Sequence, residues 1–222
     1  MKIPKLIVML THHDVTAPDS KEIFLAAKDA PADCWGFKNV GLPEEQMKEL
    51  CALMKEAGKT TFLESLAYTE QETLDSLSLA ARCGFDYMLG AHYFPSAQAF
   101  AKKEHIRFLP FVGKRKDHKL YGEIEEIVDE ERRVLESGAY GVNLSGFRYV
   151  GDAPRLIEAV VKAAGEKPVS IVGSIDTYER LEMIRRIAPT MFTIGGAFFE
   201  RKFGGSFSEQ IEAVSRYLES GG

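Results

Sequence analysis

Apolar positions along the chain fall into short continuous runs separated by longer stretches with helical spacing. The runs are Leu6–Leu10, Cys34–Val40, Thr60–Leu66, Tyr87–Tyr93, Ile106–Val112, Tyr140–Phe147, Val169–Val172 and Met191–Ile194. Each is bounded by polar residues, glycine or proline, which predicts a strand. Ile23, Phe24 and Ala27 share one side of a helix expected over residues 20–30, and Met47, Leu50, Cys51 and Met54 do the same between Pro43 and Gly58. Proline suits a first helical turn and glycine a helix end. Thr69-Glu70-Gln71-Glu72 reads as a capping box, in which Thr69 and Glu72 each satisfy the other's free backbone N–H. That helix closes at Gly84, and further helices are expected over 96–103, 121–136, 153–164 and around Leu181, Ile184 and Ile187.

Strand and helix therefore alternate through eight units of roughly 25 to 30 residues, as right-handed parallel crossovers require. The expected architecture is α/β, a single-domain (βα)8 TIM barrel over residues 1–222, with no linker or low-complexity segment to divide it. An open doubly wound sheet is the alternative. It usually carries a glycine-rich phosphate loop after its first strand, whereas this chain has Thr11-His12-His13-Asp14 there.

Composition narrows the function classes. Hydrophobic residues make up 45% and charged residues 27%, ordinary for a globular protein. A net charge of −5 leaves no basic footprint for nucleic acid. No segment approaches the roughly 18 apolar residues of a membrane span, so no membrane partner is expected. Leu6–Leu10 is too short for a signal peptide's apolar region, so a cytoplasmic location is expected. Cys34, Cys51 and Cys83, an odd count without a CxxC, read as free buried thiols. Self-association is left open.

The seventh and eighth apolar runs each end in glycine, at Gly173-Ser174 and at Gly195-Gly196. Glycine lets backbone N–H groups approach an anion with no Cβ in the way. In (βα)8 barrels the usual phosphate site lies in the loops after strands seven and eight. In this frame the two turns resemble those of the phosphate-binding (βα)8 barrels. That group includes ribulose-phosphate epimerase, N-acetylmannosamine-6-phosphate epimerase, and isomerases and synthases of histidine, tryptophan and thiamin synthesis. The resemblance spans the chain in architecture, rests on these two turns in motif, and singles out no member. It implies a small phosphorylated substrate held by Gly173, Ser174, Gly195 and Gly196.

Catalytic groups of barrels sit at the C-terminal ends of strands. Alternation puts Lys38 on the side of Cys34 and Gly36, opposite Trp35 and Phe37, so it should point inward. Phe62 and Glu64 share a side of the next strand. An inward ammonium demands a partner, and Lys38 with Glu64 is read as that pair, either a structural salt bridge or an acid–base couple. A lone lysine could instead form a Schiff base. Asp14 ends the first strand beside His12 and His13, of which alternation allows only one to face the centre. His92, at the end of strand four, is the remaining histidine candidate. The epimerase pattern of metal-binding histidines on strands two and three is not met, since those places hold Lys38 and Glu64, and no metal is expected.

Asn143 and Ser145 share a face opposite Val142 and Leu144, which suits hydrogen bonding to a substrate hydroxyl or carbonyl. No inward lysine lies on strand six, where aldolases of the keto-deoxy-phosphogluconate type carry theirs. The basic loop Lys114–Lys119, with Lys114 as the named candidate, is read as either a lid over an anion or a solvated charge run. Gly195-Gly196-Ala197 has no following strand, so it is no dinucleotide fingerprint and no organic cofactor is expected. The expected function is an enzyme on a small phosphorylated metabolite, foremost a sugar-phosphate isomerase or epimerase. An aldolase-type lyase through Lys38 and a non-catalytic phosphometabolite binder are the alternatives.

Overall fold

A computed structural model describes residues 3–220. Eight parallel strands form the barrel: β1 Lys5–Met9, β2 Cys34–Lys38, β3 Thr60–Ser65, β4 Tyr87–Gly90, β5 Arg107–Leu109, β6 Val142–Leu144, β7 Val169–Ile171 and β8 Met191–Ile194. Their order in the sheet is β6-β7-β8-β1-β2-β3-β4-β5. The remaining seam, β5 to β6, is closed by Tyr140 N–H to Phe108 O at 3.2 Å, Asn143 N–H to Pro110 O at 2.8 Å and Val112 N–H to Asn143 O at 3.2 Å. The expected barrel is the fold observed.

Helices surround it: α1 Ser20–Ala27, α2 Glu44–Glu56, α3 Glu70–Cys83, α4 Pro95–Lys103, α5 Ile124–Glu136, α6 Ala153–Ala164, α7 Tyr178–Ile187, the single turn α8 Gly196–Phe199, and α9 Phe207–Ser220. The capping box forms in full, with Glu72 N–H donating to Thr69 Oγ1 at 3.3 Å and Thr69 N–H to Glu72 Oε2 at 3.0 Å. α3 stops at Gly84, whose φ of 81° is left-handed and free of a Cβ penalty.

Alternation along the strands separates two cores. Trp35, Phe37, Leu63, Met88, Phe108, Val142, Leu144 and Phe192 point outward beneath the helices. Ile7, Met9, Cys34, Phe62, Leu89, Leu109 and Met191 fill the interior. The lower end is closed by Tyr87 and Tyr140, with the Arg107 guanidinium over both rings at 5.0 and 5.6 Å. All three cysteines are free and buried. Among the described residues, no helix is long and apolar enough to cross a membrane.

Three local expectations are corrected. The basic loop is a β-hairpin, Lys114–Lys116 against Lys119–Tyr121, turning through Asp117 and His118 at φ 48° and 60°. Two consecutive left-handed residues are what a two-residue hairpin needs to match strand twist. This hairpin uses the residues expected to open α5, which therefore starts at Ile124. Strand six is shortened to Val142–Leu144 because Gly146–Arg148 winds into a 3-10 turn. Thr11-His12-His13-Asp14 belongs to a second hairpin, Thr11–His12 against Val15–Thr16, with His13 and Asp14 left-handed at φ 49° and 63°.

Candidate active site

The polar ends of the strands surround a cavity of about 300 Å³ at the C-terminal mouth of the barrel. Lys38, Glu64, Asp14, Ser145, Gly173, Ser174, Gly195 and Gly196 all line it. Lys38 and Glu64 sit side by side in register on β2 and β3. Lys38 shares the inward side with Cys34, and Glu64 shares it with Phe62.

The carboxylate that meets Lys38 is Asp14 and not Glu64. Lys38 Nζ donates to Asp14 Oδ1 at 2.6 Å, with the Lys38 side chain only 6% exposed. The hairpin after β1 brings this about by folding Asp14 back over the mouth. Thr16 anchors that hairpin, its Oγ1 donating to Lys38 O at 2.8 Å and accepting from Lys38 N–H at 3.0 Å. Partial burial pushes the Asp14 carboxyl up, but the hydrogen bond and charge of Lys38, with Arg148 and His118, outweigh it and hold the group below its ordinary value. Glu64 forms no ion pair among the described residues.

Because the turn at His13-Asp14 breaks strand alternation, His12 and His13 both line the cavity, contrary to the expectation that only one could. His12 stacks on Phe199 with ring centroids 5.0 Å apart. Among the described residues, no group of three or more histidine, cysteine or carboxylate side chains is arranged to hold a metal.

On the far side, Gly173 and Ser174 are both left-handed, at φ 78° and 58°. Arg180, which is paired with Asp176 at 2.7 Å, also donates to the Ser174 carbonyl and holds that turn from behind. A Cβ on Gly195 would lie 2.9 Å from Thr11 O, so the backbone there is too close-packed for a side chain. Among the described residues, the backbone N–H groups of Gly173, Ser174, Gly195 and Gly196 donate to no backbone or side-chain acceptor within the chain. Four unspent donors thus belong to residues lining one cavity wall. Arg148 crosses the same wall, its Nε only 2.7 Å from where a Gly173 Cβ would stand.

Ser145 lines the cavity, whereas Asn143 lies deeper. Asn143 is fully buried with neither side-chain polar atom hydrogen-bonded, and neighbouring Ser170 Oγ is also unpartnered. His92 does not line the cavity. It packs near Tyr68, centroids 5.3 Å apart, and burial, then the charge of Arg115, lowers its pKa. Lys114 is exposed and outside the cavity, and the basic side chain that the hairpin sends inward is Arg115. The lining cations are Arg115, which the sequence offered only as part of the basic loop, and Arg148, which with Tyr149 after strand six reads from sequence as a second lid over an anion or a solvated charge. Alternation within a recognised hairpin would have favoured Arg115 over Lys114.

No protein-family model and no curated protein matches the chain. Solved structures do match along its length. Orotidine 5'-phosphate decarboxylase from Pyrococcus horikoshii OT3 is 15% identical with a TM-score of 0.73, over 96% of this chain and 99% of that one. N-(5'-phosphoribosyl)anthranilate isomerase from Pyrococcus furiosus is 16% identical with a TM-score of 0.68, over 98% and 99%. The 4-hydroxy-2-oxoglutarate/2-dehydro-3-deoxyphosphogluconate aldolase from TTHB1 is 13% identical with a TM-score of 0.67, over 96% and 94%. At these identities the likeness is one of fold. A decarboxylase, an isomerase and an aldolase share one scaffold with this chain, which has the fold of a (βα)8 barrel.

Proposed function

We propose that this protein is an enzyme that isomerises or epimerises a small phosphorylated metabolite by acid–base chemistry at the barrel mouth. The observation that carries the reading is the shared cavity, lined both by four residues with unspent backbone donors and by the Lys38–Asp14 pair and Glu64. Such donors suit a phosphate, because an oxyanion accepts several hydrogen bonds and no side chain intrudes. Phosphorylated compounds also appear in the names of the structural neighbours.

Proton abstraction beside a carbonyl needs a base in reach and a cation for the developing enolate oxygen. Glu64, which forms no ion pair among the described residues, takes the first role. Lys38 takes the second, oriented by Asp14 at 2.6 Å. Ser145 hydrogen-bonds the substrate, and Asn143 supports the cavity floor from below. The alternative is an aldolase-type lyase, favoured by the burial of Lys38 at the floor of the mouth. Against it, an ammonium paired to Asp14 has no lone pair to give a carbonyl.

The test is solvent exchange. A panel of aldose and ketose phosphates is incubated with the enzyme in deuterium oxide and followed by proton NMR. Deuterium should enter beside the carbonyl of at least one member, and borohydride should trap no adduct on Lys38. Trapping on Lys38 would replace the isomerase by the lyase. Binding without exchange or trapping would leave a phosphometabolite-binding protein.

A further inference from the structure

Arg115 is a half-buried cation of the mouth with no hydrogen-bonded anion among the described residues. Its Nε and Nη2 are both buried without a hydrogen-bond partner, and it forms no ion pair among the described residues. The guanidinium carbon lies over Phe111, 3.4 Å from the ring centroid, and 5.3 Å from that of Tyr68. Nε and Nη2 form one of the guanidinium edges that a carboxylate grips with two parallel hydrogen bonds. Contact with Phe111 restrains the guanidinium, so less freedom is lost on binding.

Position around the barrel gives the edge its meaning. Arg115 rests on Phe111, which follows β5, and on Tyr68, which follows β3. The glycine turns and Arg148 belong to the ends of β6 to β8, across the ring of strands. The cavity between these two cationic regions contains the Lys38–Asp14 pair and Glu64. Burial pushes the Arg115 guanidinium below its ordinary value; Tyr68 and the Glu64 carboxylate oppose this from a distance, Arg148 adds to it, and no hydrogen-bonded anion offsets the burial.

We infer that Arg115 is a second anion subsite, and that the substrate is a phosphorylated acid whose carboxylate binds there while its phosphate binds the glycine turns. This rests on the phosphate reading above and adds the chemistry of the opposite end. Arg115 is carried by the hairpin 114–121, bracketed by Gly113 and Gly122 at φ 83° and 118°. A shift of that hairpin would open the shielded edge to the cavity.

The test compares 3-phosphoglycerate, glycerol 3-phosphate and inorganic phosphate as probes by titration calorimetry with the full chain. Wild type should bind 3-phosphoglycerate at least about tenfold more tightly than glycerol 3-phosphate, the ratio expected of a charge-assisted pair. Arg115→Met should bring the two to equality with glycerol 3-phosphate affinity unchanged. Arg115→Lys keeps the charge without the fork and should retain only part of the preference. Equal affinities in wild type would overturn the carboxylate subsite and leave the phosphate site standing. A preference that survives Arg115→Met would overturn the role of Arg115. If none of the three probes binds wild type, the phosphate reading falls and takes this one with it. Melting curves of both variants establish that they are folded, and the wild-type comparison decides the proposal by itself if they are not.

Discussion

Glu131 lies on the inner face of α5 in line with Ile127 and Val134, fully buried, with neither carboxylate oxygen hydrogen-bonded. Burial raises its pKa to about 8, against a small opposing effect of Arg132. The folded state therefore holds a proton that the unfolded chain releases near pH 4.5, and stability falls as pH rises from there to about 8. Glu131→Gln should flatten the dependence of Tm on pH across that window, and Glu131→Leu should raise Tm at pH 8 more than at pH 5. The expected gain at pH 8 is on the order of a few kcal/mol. An unchanged pH profile in both variants would mean that a water or a local shift satisfies the carboxylate. At the mouth, Glu64→Gln should lower the exchange rate by about 10²–10⁴-fold while phosphate affinity persists. Lys38→Met should do the same, and the double variant should be little worse than either, as for groups acting as one unit. If both single variants keep activity and lose only Tm, the catalyst lies elsewhere.

Among the elements, what was legible in the sequence depended on whether the signal was local. The capping box of α3 was, because its partners are three residues apart. Thr69→Ala should cost about 1 kcal/mol, read as a drop in Tm without loss of phosphate binding. The inward direction of Lys38 was legible for the same reason, since Trp35 and Phe37 mark the outer face. Its partner was not. Asp14 reaches Lys38 only because His13 and Asp14 make a left-handed turn, and neither is the glycine that announces such turns. The hairpin after β5 hid Arg115 in the same way, behind Asp117 and His118. Asp14→Asn keeps a residue that tolerates φ 63° and should preserve the fold while weakening Lys38's anchoring. Asp14→Val places a β-branched residue there and should lower Tm in addition.

For the whole molecule, the interior is filled to contact in its lower half, and the cavity occupies the upper. Gly36 shows how tight the lower half is. A Cβ there would stand 2.4 Å from the Phe62 carbonyl oxygen and 2.8 Å from Phe62 Cβ. Gly36→Ala should cost about 1–3 kcal/mol, visible as a lower midpoint in urea with an unchanged slope. The closing seam has a different character. Pro110 has no N–H to give, so β5 and β6 are joined by few backbone bonds, while β2 and β3 pair through five residues in register. Such a barrel should open locally where its strands are least bonded. In deuterium oxide, the amides of Val112, Tyr140 and Asn143 should lose their protons through local opening well before those of β2 and β3. Because the chain runs from this seam directly into the hairpin that carries Arg115, an opening too brief to unfold the barrel would also loosen the grip on whatever that arginine holds.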